Sequence, residues 1–367
     1  MAEIPVGTLV AALGFLGGIA FGATAQRTNF CTMGAVADGV LMGDWRRMRM
    51  WLLAIAVAML GSQALHLAGA VDLNASIYLT PSLGWLGAIL GGLMFGFGMT
   101  LTGGCGSKSL VRLGGGNLKS LIVLLVLGLT AYMTLRGLFA AARLALIEPA
   151  ALDLRAAGVK AQGLPDLLAA ATGLSIPGAR PIVLLAAAGG LLWICFKDAG
   201  FRAAPRHLAG GAIIGALVAL GWAVTGVIGR DEFQPTPLAS FTFVAPIGDS
   251  LLYLMIFSGA SINFGIAAVG GVVLGAFLAA LWAREFRLET FADAGDMLRH
   301  LAGGAAMGVG GVLALGCTIG QGITGMSTLA AGSLIAWLSI LAGAVYGLKY
   351  LEDGSFGGAL RAILARS

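Results

Sequence analysis

Charge is scarce in this sequence. Asp, Glu, Lys and Arg make up 11% of 367 residues, against a hydrophobic share of 58% and a mean hydropathy of +0.93. Soluble domains carry about a quarter of their residues charged, so an ordinary water-soluble fold is excluded. Histidine is rarer still: His66, His207 and His300 all fall at or near the ends of apolar stretches, which leaves the interior without an imidazole base. The four cysteines are too few and too far apart for a disulfide framework, and none stands in a C-x-x-C pair. Dispersed thiols do not make the close group of soft ligands that a metal wants. No metal or cofactor is expected. A soluble module with a basic, aromatic-interleaved stripe is missing, which excludes nucleic-acid binding. Gly114-Gly115-Gly116 lacks the strand–loop–helix setting of a phosphate loop, and no ATPase motif is present. The start, Met-Ala-Glu-Ile-Pro, lacks a basic n-region, so the first span is expected to stay uncleaved.

What the chain has in abundance is apolar length and glycine, with 59 Gly residues. Nine membrane spans are predicted, at about 8–25, 48–70, 83–101, 119–140, 181–196, 208–228, 262–283, 299–316 and 333–350. Four shorter apolar segments, roughly 30–42, 106–116, 242–258 and 318–330, are too short to span and too apolar for solvated loops. Re-entrant half-helices buried in protein fit them best. Of the 22 Lys and Arg residues, sixteen fall on one side, from Arg27 through Arg46, Arg47, Arg49, Lys108, Arg112 and Lys119 to Arg366. Six fall on the other: Arg136, Arg143, Arg155, Lys160, Arg180 and Arg230. The richer side is expected in the cytoplasm, leaving the N-terminus periplasmic and the C-terminus cytoplasmic. The expected organisation is an all-α polytopic membrane protein. Residues 1–140 form a first repeat of four spans and two half-helices. Residues 141–207 form a periplasmic excursion and one connecting span, and residues 208–367 a second repeat with a cytoplasmic tail. One intervening span inverts the second repeat relative to the first, and opposed half-helices make an hourglass.

Two distant stretches carry the same break. Phe95-Gly96-Phe97-Gly98 leads to Gly104-Cys105, and Met307-Gly308-Val309-Gly310 leads to Gly316-Cys317, with equal spacing. Each cysteine opens a half-helix, where free backbone amides and the helix dipole favour an anion. A thiol there is a weak donor with a polarizable sulfur, suited to a soft, sulfur-bearing anion. Phe30-Cys31 through Asp38 aligns with Phe241-Thr242 through Asp249, so Thr242 stands opposite Cys31. Asn29, Ser107, Lys108, Thr318, Gln321 and Thr324 flank the breaks and could solvate a passing anion, with Lys108 alternatively a vestibule charge. Asp38 and Asp249 need a partner or a water-lined cavity. They read either as proton-coupling groups or as structural contacts to Arg27, Arg230 or a half-helix end. Cys195, inside the fifth span, reads as apolar filler.

Arg27-x-Asn29-Phe30-Cys31, Gly103-Gly104-Cys105-Gly106-Ser107 and Leu315-Gly316-Cys317-Thr318-Ile319-Gly320-Gln321-Gly322 together resemble the YeeE/YedE family of bacterial inner-membrane proteins. The similarity covers nearly all of the chain outside about 141–180. The resemblance implies thiosulfate uptake, with the anion passed between Cys31, Cys105 and Cys317 along an hourglass-shaped path. It also implies a small cytoplasmic sulfurtransferase of the TusA type as a separate partner, since the chain leaves no room for that domain. Other sulfur or selenium species stay open as substrates. So do a membrane-embedded thiol enzyme that forms a persulfide and a soft-metal transporter.

Overall fold

The computed structural model describes residues 5–231 and 236–364. Residues 1–4, on which the uncleaved start was read, and Arg366, counted among the basic side, lie outside them. The elements run α1 (Val6–Thr28), α2 (Thr32–Met42), α3 (Arg46–Leu67), β1 (Ser82–Leu83), α4 (Trp85–Leu101), α5 (Gly106–Gly114) and α6 (Leu118–Leu135). Next come α7 (Leu138–Ala142), β2 (Leu152–Asp153), α8 (Leu164–Thr172), α9 (Ile176–Phe196) and α10 (Ala199–Arg202). The chain continues through α11 (Pro205–Ala223), α12 (Val244–Met255), α13 (Phe264–Trp282) and α14 (Ala294–Leu313). A wide helical turn at Gly320–Gly325, α15 (Ala331–Asp353) and α16 (Phe356–Leu364) complete it. Side chains set several starts: Asn117, Asn263 and Asp293 accept the first free amides of α6, α13 and α14.

The protein is an all-α, multi-pass membrane protein. Among the described residues, 8 helical stretches are long and apolar enough to cross a membrane. The ninth expected span is present as α14 but falls short of that hydropathy. Asp296, Arg299 and His300 occupy its first turns, and glycines fill much of the rest. The physical reason is its position: α14 packs against both α4 and α6, so it faces protein where a lipid-facing helix would need stronger apolarity. All four short segments are helical, as α2, α5, α12 and the turn around Gly320–Gly325.

The helix pairings come in twos. α1 packs on α13, and α3 on α11; α4 packs on α15, and α14 on α6. Likewise α5 touches α13 while the Gly320–Gly325 turn touches α3. Glycine makes the closest of these contacts. A Cβ at Gly22 would fall on the Val272 carbonyl oxygen, and one at Gly275 on that of Ile19, so α1 and α13 meet backbone to backbone.

The 138–175 insertion folds back over one end of the bundle. β1 pairs antiparallel with β2, Leu164 N–H donates to Leu329 O at 2.8 Å, and Ala331 N–H donates to Gln162 O at 2.9 Å. Burial pushes the Asp166 carboxyl up, partly offset by Arg180.

Gly22→Ala is expected to cost about 1–3 kcal/mol through forced separation of α1 and α13. Gly189→Ala, with nothing within 4 Å among the described residues, should change stability by less than about 0.5 kcal/mol. Thermal unfolding of the purified proteins in detergent checks this, and equal midpoints would contradict the close packing.

Candidate functional site

Three of the four cysteines sit in the same local structure. Each follows a helix whose last turn closes on a left-handed residue, then one further residue, then the thiol. The left-handed positions are Asn29 (φ 53), Gly103 (φ 67) and Leu315 (φ 57). The residue after each donates back five positions: Phe30 N–H to Ala25 O at 3.1 Å, Gly104 N–H to Met99 O at 2.8 Å, and Gly316 N–H to Gly311 O at 2.8 Å. That bond is the signature of a Schellman helix end. Glycine adopts the left-handed conformation freely and asparagine readily, whereas Leu315 carries roughly 1–2 kcal/mol of strain there.

The cysteine then caps the next helix. Cys31 Sγ accepts the Gly34 amide at 3.4 Å, and Cys317 Sγ accepts the Gly320 amide at 3.4 Å. Cys105 Sγ instead lies 3.2 Å from Ser107 Oγ. All three are buried. Because their sulfurs act as acceptors, the S–H groups of Cys31 and Cys317 stay available as donors. The three turns converge. Cys105 lies within electrostatic range of Cys31 and Cys317 and beside the Thr318 hydroxyl, which finds no well-formed hydrogen-bond partner among the described residues. Thr242 and Tyr78 approach Cys317 from the other side.

The two approaches to this cluster differ. Towards the basic end lies an open polar cavity of about 480 Å³, lined by Asn29, Lys108, Arg112, Arg287, Glu285 and Glu289 among others. Lys108 is buried and donates from Nζ to Asn29 Oδ1 at 3.1 Å, at the boundary between cavity and thiols. The Arg47 guanidinium lies over Gly34, beside the Cys31 cap. Towards the insertion, Tyr78, Gln162, Gln321 and Ser333 border a pocket of only about 20 Å³.

Of the expected site residues, the structure therefore groups Cys31, Cys105, Cys317, Ser107 and Thr318, with Asn29 and Lys108 at one edge and Gln321 at the other. Thr324 is occupied, its hydroxyl donating to Phe241 O at 2.6 Å. Both carboxylates have partners, though not the expected ones. Asp38 pairs with Arg47 at 3.2 Å, because the short link after α2 brings the start of α3 alongside. Asp249 accepts the Tyr132 hydroxyl of α6, on which α12 packs. Arg27 instead stacks on Trp282, and Arg230 donates to Ala70 O. Cys195 stands apart, donating to Arg49 O at 3.3 Å. His66 and His300 are bound near helix ends to Val71 O and to Asp296.

Sequence reasoning missed three contributors. Tyr78 and Gln162 lie in irregular segments where neither period nor motif marks them. Arg47 was visible only as one charge of the Arg46, Arg47 and Arg49 cluster. Thr242 was legible through its register with Cys31, but α12 is capped one residue later, at Phe243.

The chain is similar to curated proteins along most of its length. It is 29% identical over 337 residues to the thiosulfate transporter TsuA of Spirochaeta thermophila, covering 90% of this chain and 96% of that one. It is 27% identical over 330 residues to the thiosulfate transporter TsuA of Escherichia coli, covering 84% and 86% respectively. The probable transporter YedE of Escherichia coli is 30% identical over 95 residues, 25% of this chain and 21% of that protein. The profile described as sulphur transport matches residues 27–346, a range that includes Cys31, Cys105 and Cys317. With that match spanning well over half its length, the chain belongs to the sulphur transport family.

Proposed function

We propose that this protein imports thiosulfate, or a closely related sulfur-containing anion, across the bacterial inner membrane. The observation that carries this reading is the convergence of three thiols at helix starts, two of which cap through sulfur and keep their S–H free. Half-helix amides and thiol donors together offer an anion brief contacts without a covalent bond. The path residues would be Cys31, Cys105 and Cys317, assisted by Asn29, Ser107, Lys108, Thr318 and Gln321.

The paired helix contacts support two repeats, 1–140 and 208–367, around a central 141–207 segment. Their inversion is supported by where the half-helices lead: α5 runs on to Asn117 and Lys119 at the open cavity, whereas the Gly320–Gly325 turn runs on to Ala330, bridged to Gly163 of the insertion. The basic end would face the cytoplasm, and a TusA-like sulfurtransferase could collect the anion there. Asp38 and Asp249, each with a partner, are read as structural.

A magnitude limits the energetics. Moving a dianion inward against roughly 100 mV costs about 4.6 kcal/mol, a gradient on the order of 2,000-fold. With both carboxylates engaged, consumption inside the cell is the favoured driving force.

Labelled thiosulfate uptake in cells should fall at least about tenfold in Cys105→Ala and Cys317→Ala and stay within about twofold of wild type in Cys195→Ala. Equal losses in all three would remove the special role of the capped thiols. In mass spectra taken during turnover, Cys105 and Cys317 should carry no sulfur adduct; a trapped persulfide would make this a thiol enzyme instead. In liposomes lacking any acceptor protein, thiosulfate should only equilibrate. Strong accumulation driven by a proton gradient would overturn the consumption-driven reading.

A further inference from the structure

The small pocket on the insertion side contains a concentration of unmatched acceptors. Gln162, Gln321 and Ser333 are all more than nine-tenths buried, and all three border it. Gln162 Oε1, Gln321 Oε1 and Ser333 Oγ find no hydrogen-bond partner among the described residues. The amide nitrogens are already committed. Gln321 Nε2 donates to Ala314 O, and Gln162 Nε2 to Thr80 Oγ1 at 3.3 Å. Two carbonyl oxygens and one hydroxyl therefore face a space of about 20 Å³.

That geometry discriminates among ligands. An oxyanion is too large and would meet two acceptors with no amide donor. A single water fits the volume, can donate one hydrogen to each Oε1, and can accept from the Ser333 hydroxyl. We propose that one ordered water occupies this pocket and latches the insertion (Gln162) to the second half-helix (Gln321) and to α15 (Ser333). The latch closes the approach to Cys317 from the insertion side, since Tyr78 borders the pocket and also approaches Cys317. Backbone bonds from Leu164 to Leu329 and from Ala331 to Gln162 already hold this strip of the insertion, and the water adds a side-chain tie beside them. This rests on the reading that the anion's path passes Cys317.

The test does not use thiosulfate, so its failure and that of the transport reading are distinguishable. Full-length protein in oriented membrane vesicles is exposed to a membrane-impermeant methanethiosulfonate reagent from either side, and labelling of Cys317 is followed by peptide mass spectrometry. Gln162→Leu and Ser333→Ala should each raise the Cys317 labelling rate about tenfold from the insertion side only. Labelling of Cys195 should not change, which confirms an intact fold. The double variant should label no faster than the faster single, because both remove the same bridge. Unchanged rates, or multiplying effects, would overturn the latch. Slower labelling of wild type in sodium than in potassium would assign the pocket to a cation and overturn the water. Independently of any variant, a high-resolution density map should show a peak about 2.7–3.2 Å from both Oε1 atoms. The lack of that peak would also reject the proposal.

Discussion

A helix that stops inside a bilayer leaves carbonyls and amides that lipid cannot satisfy. The rest of this structure depends on how that constraint is met. At three places the last turn of one helix closes through a left-handed residue, and a cysteine two residues beyond takes up an amide of the next helix or pairs with its hydroxyl. At Cys31 and Cys317 the sulfur thereby serves the fold as an acceptor while its hydrogen is left over. Stability and site chemistry are drawn from the same atoms. A serine cap would satisfy the backbone equally well but would present a harder, less polarizable donor to a sulfur anion.

The electrostatic surroundings give this neutral donor cluster a direction. On the basic side, Arg47 and Lys108 reach the neighbourhood of Cys31, one paired with Asp38 and the other held by Asn29. A bare cation at that depth would be costly and would also retain an anion too tightly. Partial neutralisation by Asp38, and by Glu285 and Glu289 in the adjoining cavity, leaves attraction without a trap. On the other side of the cluster, Tyr78 and Thr242 bring hydroxyls rather than cations next to Cys317.

Much of this was legible in the sequence. Apolar runs gave the spans within a few residues, and the matched Gly-Cys breaks marked Cys105 and Cys317 because a repeated spacing is a strong signal. Span count was less secure: α14 shows that hydropathy reports lipid contact, so a helix enclosed by protein can escape it. The shared turn was legible only in part, since Gly103 and Asn29 advertise a left-handed backbone whereas Leu315 does not. Partners from irregular segments were out of reach. Tyr78 and Gln162 arrive through the pairing of two short strands far apart in the chain, and nothing local encodes that.

The fourth break shows what the other three have in common. Between α11 and α12 the connection is long, Thr242 replaces a thiol, and the cap falls to Phe243, whose side chain cannot accept an amide. This half-helix start relies on aromatic packing instead, with Phe241 and Phe243 against Phe21 at 5.7 and 5.3 Å. Thr242 is thus freed from capping and stands beside Cys317. A strictly symmetric relay of four thiols is therefore ruled out by geometry as well as by residue identity. Cys31 and Cys317 cap through sulfur, Cys105 pairs with Ser107, and Thr242 caps nothing, so the four helix starts are chemically unequal.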